Sequence, residues 1–202
     1  MSMRIKTLAC RIVLLPVALL LLSVSSASAA IMVFQAGLSG SAESPPNASP
    51  GTGFTTVTYD SVLHTLRVEV SFSGLVGTTT ASHIHCCVAP TAATPTAGVA
   101  TTTPTFAGFP LGVTSGTYDN TLDLTMSSSF NPSFVTAHGG TAAGAEAFLA
   151  TGLSAGSTYL NIHTNSFPGG EIRGFLVPEP STFGLTAFLI PLLWFARRKH
   201  AS

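Results

Sequence analysis

The sequence predicts a mainly β protein: an antiparallel β-sandwich or barrel with a short helical insertion, flanked by a signal peptide and a C-terminal transmembrane segment. Three observations carry that expectation. Short runs of β-branched and aromatic residues alternate with Gly, Pro, Ser and Asn through the middle of the 202-residue chain. Within one of them, Thr65–Phe72, Leu66, Val68, Val70 and Phe72 alternate with Arg67, Glu69 and Ser71, the period of a half-buried strand. The two ends read as targeting segments, which leaves one domain over 32–177, large enough to bury a core.

Taken in order, the expected strands are Met32–Leu38, Gly53–Tyr59, Thr65–Phe72, Ser82–Cys86, Gly112–Tyr118, Asp123–Met126, Thr158–His163 and Glu171–Val177. Two stretches break the rhythm. Asn131-Pro132 opens a helical turn with a capping side chain and a proline at the first helical position, running to about His138. Ala142–Leu149 reads as a second short helix closed by Gly152. Pro90–Pro110, rich in Thr, Ala and Pro, reads as a loop or edge segment.

The formal charge of zero averages over unlike pieces. Basic residues sit at the ends, while the domain holds Arg67 and Arg173, no lysine and seven carboxylates. Nucleic acid is therefore excluded as a partner, and so are a Schiff-base lysine and a phosphate-loop lysine.

At the front, Arg4, Lys6 and Arg11 precede the apolar run Ile12–Leu22 and the small residues Ala27-Ser28-Ala29, the three-part build of a secretory signal peptide over 1–29. Eleven helical residues reach roughly 17 Å, too short for a hydrocarbon core of about 30 Å. At the back, Val177-Pro178-Glu179-Pro180-Ser181-Thr182 leads into the apolar Phe183–Ala196 and then Arg197, Arg198 and Lys199. A basic cluster after an apolar run keeps the C-terminus inside and the domain outside. Pro178 and Pro180, two residues apart, are expected to keep this segment extended and out of any sheet.

The arrangement over 178–202 resembles the PEP-CTERM sorting signal: a Pro178-Glu179-Pro180 motif, a short membrane helix and an arginine-rich tail. The resemblance implies a Gram-negative exporter with transient anchoring in the inner membrane, the domain lying in the periplasm. Signal peptidase and a cysteine-type exosortase would be its processing partners, and the cell surface or extracellular polysaccharide matrix its destination.

Phe34-Gln35-Ala36-Gly37-Leu38-Ser39-Gly40, Ala81-Ser82-His83-Ile84-His85 and Tyr159-Leu160-Asn161-Ile162-His163-Thr164 with Phe167–Gly174 resemble the CHRD domain. This resemblance covers 32–177 and implies a β-rich extracellular module without an established enzyme activity; the chain is read as non-enzymatic.

His83 and His85 lie two apart, so a strand puts both imidazoles on one face, where copper or zinc would suit them. His163 completes a three-histidine site if its strand neighbours Ser82–Cys86; the alternative reading makes all three buried hydrogen-bonding residues. The pair is distantly similar to that of copper–zinc superoxide dismutase, but the long zinc loop of that family is missing. Cys87 falls on the histidine face and is a candidate co-ligand, while Cys86 faces away, packed or paired. Gly152-Leu153-Ser154-Ala155-Gly156 matches a nucleophile elbow in letters but has helix before strand, so it reads as a turn. Glu171 and Arg173 share a face and are expected to pair or to hold a neighbouring loop.

Overall fold

The computed structural model describes residues 31–179. The expected signal peptide, Pro180, the apolar C-terminal run and Arg197, Arg198 and Lys199 lie outside the described residues. Among those described, no helix is long and apolar enough to cross a membrane.

The strands are β1 (Ile31–Ser39), β2 (Thr52–Asp60), β3 (Thr65–Ser73), β4 (Thr79–Cys86), β5 (Gly116–Asp123), β6 (Thr158–Thr164), β7 (Ile172–Phe175) and β8 (Val177–Pro178). They form one antiparallel sheet ordered β4-β6-β7-β1-β2-β3-β5, with β8 added to β1. The sheet curls as a half-barrel and ends on β4 and β5 without closing. The expected sandwich or barrel is thus replaced by a single sheet. Its second layer is made by α1 (Pro132–Ala137), α2 (Ala142–Ser154) and the long 87–115 connection.

The core follows from alternation. Phe34 on β1 stands beside Val57 on β2 and Val68 on β3, all fully buried, and Met32, Tyr59, Leu66 and Leu122 form a parallel row. Ala145, Leu149 and Leu153 of α2 and Phe134 of α1 close over this face. Asn131 caps α1 by accepting a hydrogen bond from the Ser133 N–H at 3.0 Å, as the Asn-Pro signal predicts.

Three expected boundaries fail for identifiable reasons. Gly112–Tyr118 and Asp123–Met126 are not two strands: Gly116–Asp123 is one, because β3 offers an unbroken partner and Arg67 bridges to Asp119 at 2.6 Å, between the two expected strands. Helix α2 runs past Gly152, because that glycine lets the helix lie directly on the side chains of Cys86 and Cys87. Pro178 does pair in the sheet, opposite Phe34. A proline loses only its own N–H, and the neighbouring Glu179 N–H bonds Val33 O at 2.9 Å.

The two halves of the sheet differ. In β3 burial alternates cleanly, whereas β4 and β6 are buried on both faces. The cover comes from the 87–115 connection, which also satisfies the free edge of β4: Gly98 O accepts from Cys86 N–H, Ala100 N–H donates to Ile84 O, and Phe106 N–H donates to Ser82 O. An edge covered in this way cannot recruit another chain.

Glu171, fully buried just before β7, anchors the Ser49 and Val76–Gly77 loops. Its carboxylate accepts from the hydroxyls of Ser49 (2.6 Å) and Thr164 (2.7 Å) and from the N–H groups of Val76 and Gly77 (3.0 Å for the latter). Burial opposes its ionisation, but these donors outweigh it and hold the carboxyl below its ordinary range. Glu171→Gln is therefore expected to cost about 2–3 kcal/mol in denaturant titrations at neutral pH, because its amide would point a donor at donors. The carboxylate's advantage is present above the unfolded pKa and fades as pH falls through the lower folded one, so the gap between wild type and variant must shrink in acid.

Candidate metal centre

The outward face of β4 and β6 builds the site by strand arithmetic. Ala81 stands opposite His163, His83 opposite Asn161 and His85 opposite Tyr159, so all six side chains leave the sheet on one side. Neighbouring β7 adds Arg173 opposite Asn161 and Phe175 opposite Tyr159. His83 and His85 are buried, and His163 is half-buried. One ring nitrogen from each histidine comes within 4.8 Å of the others.

The opposite ring nitrogens fix the chemistry. His83 Nε2 bonds Pro104 O at 2.6 Å, His85 Nδ1 bonds Ala97 O at 2.9 Å and His163 Nδ1 bonds Pro168 O at 2.8 Å. A carbonyl only accepts, so each of these nitrogens carries the proton, and in a neutral ring the other must present a lone pair. Those other atoms, His83 Nδ1, His85 Nε2 and His163 Nε2, are buried and have no hydrogen-bond partner among the described residues.

The rings are neutral for a physical reason. Burial lowers the pKa of all three, and for His85 it reaches about 4 despite the favourable carbonyl of Ala97. Three unpartnered, shielded ring nitrogens thus sit on three histidines whose ligand atoms gather within 4.8 Å of one another, an arrangement that three buried structural histidines would avoid. Backbone carbonyls that set tautomer and ring angle are the usual support of metal-ligating histidines.

The surroundings are ordered. Tyr159 stacks on His85 with ring centroids 4.7 Å apart and planes 8° apart, and its hydroxyl bonds both N–H and C=O of Ala97. Arg173, 2% exposed, lies over the Tyr159 ring at 4.7 Å and donates to Ala42 O and to Pro95 O. Glu43 lies 3.7 Å from Arg173 and accepts from Asn161 Nδ2 at 2.9 Å. Burial raises the Glu43 carboxyl to about 7 against the pull of Arg173.

Of the candidate ligands read from the sequence, the fold brings together His83, His85 and His163. Cys87 is not among them: it is joined to Cys86, and both sulfurs sit against Gly152 of α2. The connection turns away from the strand after Cys86, so strand parity no longer governs residue 87. Glu171 and Arg173 do not pair with each other. Glu171 holds neighbouring loops, and Arg173 turns to Glu43. Ser154 closes α2 and bonds back to Ala150 O, so no nucleophile elbow forms. Glu43, Asn161 and Tyr159 were visible in sequence only as parts of runs.

Comparison with protein families gives a match of the CHRD domain to residues 34–176. No curated protein and no solved structure matches the chain.

Proposed function

We propose, from the premise that this chain belongs to the CHRD domain family across most of its length, that it is an exported, non-enzymatic module that holds one transition-metal ion, copper or zinc, on His83, His85 and His163. The observation that carries this reading is the convergence of three unpartnered, solvent-closed ring nitrogens whose opposite nitrogens are tied to Pro104, Ala97 and Pro168. Neutral imidazoles suit copper and zinc, and a strained or half-satisfied polar cluster would otherwise cost stability. Purified chain stripped with chelator, reloaded and dialysed should retain about one ion per chain. The triple His→Ala variant should retain almost none, and equal metal content in the two proteins would remove the idea.

Delivery belongs to the same reading. Signal peptidase would cut after about Ala29, and exosortase near Pro178-Glu179-Pro180, releasing the module to the cell surface or polysaccharide matrix of a Gram-negative bacterium. Support comes from the motif, from the basic tail and from the placing of Pro178 and Glu179 at the last described strand. Intact mass of the exported protein is expected to lack both end segments; a mature species still carrying Phe183–Ser202 would sink the sorting claim.

A further inference from the structure

The charge and enclosure of the three-histidine centre bear on which ion it selects. Its ligands are three neutral imidazoles, and among the described residues no carboxylate or thiolate joins the cluster. The charge that reaches it is positive: Arg173 lies over the Tyr159 ring, which stacks on His85. The cost of moving an ion out of water grows with the square of its charge, so a divalent ion with no compensating anion is penalised far more than a univalent one. Glu43, the nearest carboxylate in this network, is engaged with Arg173 and Asn161.

Coordination number points the same way. The three unpartnered nitrogens are shielded from solvent, which argues against water as a fourth ligand. Zinc in proteins takes four ligands, and divalent copper prefers a tetragonal set. On this face, among the described residues, one further buried acceptor lacks a partner: the Asn161 amide oxygen, a hard neutral group. Univalent copper, a filled-shell ion content with three ligands, asks for neither a fourth donor nor an anion.

We infer that the centre selects univalent copper, held by His83, His85 and His163 alone. This rests on the metal-binding reading above, and the test separates the two. The full chain, with its Cys86–Cys87 bridge verified by thiol titration, is offered equimolar Cu(I) and Zn(II) anaerobically under a non-thiol reductant. Metal content is read after gel filtration, and X-ray absorption is recorded on the copper-loaded protein. Most of the bound metal should be copper, with three nitrogen scatterers and no sulfur, and Asn161→Ala should leave the copper-to-zinc ratio unchanged.

Zinc taking the site from copper, or a fourth scatterer lost in Asn161→Ala, would overturn the univalent assignment while leaving the metal centre standing. Failure of Cu(I), Cu(II) and Zn(II) alike to bind would overturn both. Retention of copper by the triple His→Ala variant would do the same. Should any single histidine variant fold poorly, the competition and the absorption spectrum of the unaltered chain still decide the matter.

Discussion

Replacing Arg173 with Met should cost about 3–5 kcal/mol of folding stability at neutral pH, a large part of what a domain of this size possesses. Arg173 is almost fully buried and serves five partners at once: the carbonyls of Ala42 and Pro95, the Glu43 carboxylate, and the faces of Tyr159 and Phe175 at 4.7 and 5.8 Å. Methionine fills similar space but leaves two carbonyls without donors and Glu43 without its cation. Lysine restores the charge but not the fork that reaches Ala42 and Pro95 together, so Arg173→Lys should recover only part of the loss.

The pH dependence identifies the mechanism. Glu43 has a folded pKa raised to about 7, so its contribution to stability is fully present below the unfolded value near 4.5 and is lost as pH rises through 7. Removing Arg173 raises the folded pKa further, and the deficit of the variant should therefore widen between pH 5 and pH 8. Urea titrations at those two pH values check this. A deficit below about 1 kcal/mol, or one that narrows as pH rises, would mean that the buried pair contributes little.

How much of this was legible in the sequence depends on where each residue's instructions lie. β3 announced itself because one face of it is wet, and period two is visible only under that condition. The histidine face of β4 and β6 followed from the same parity, since two apart on a strand means one side regardless of what covers it. The covering layer was not legible. A curled sheet backed by helices and a loop shows the same alternation as a sandwich, because the periodicity records which side is dry and not what dries it. Composition leaves residues 119–122 between two expected strands, whereas pairing with β3 carries one strand through them.

The carbonyls of Ala97, Pro104 and Pro168 could not have been found in advance. Every residue carries a carbonyl, so selecting these three takes the fold of the 87–115 connection and of the β6–β7 turn. Even the sequence positions that flank the β4 edge bonds, Gly98, Ala100 and Phe106, gave no signal beyond loop composition. Arg173 was legible as an important residue, being one of two cations in the domain, but its partner lay 130 residues away in sequence.

The melting behaviour of the histidine centre should be the largest ligand-dependent effect in the molecule. An ion that binds only the folded chain stabilises by mass action, about 4 kcal/mol at a thousandfold excess over its dissociation constant. For a domain of this size that corresponds to a rise in Tm of roughly 8–16 °C. His163→Ala and His85→Ala should each abolish the rise, because two imidazoles are left where three converge. In chelator the same variants should melt within about 1–2 kcal/mol of the unaltered chain: each loses one carbonyl bond but also removes a buried lone pair that had no partner. Purely structural histidines predict the reverse, a metal-independent loss and no shift in any protein. Scans of the unaltered chain and both variants, each with chelator and with excess ion, separate the two. A variant that keeps the full metal-induced rise would show that the ion binds elsewhere.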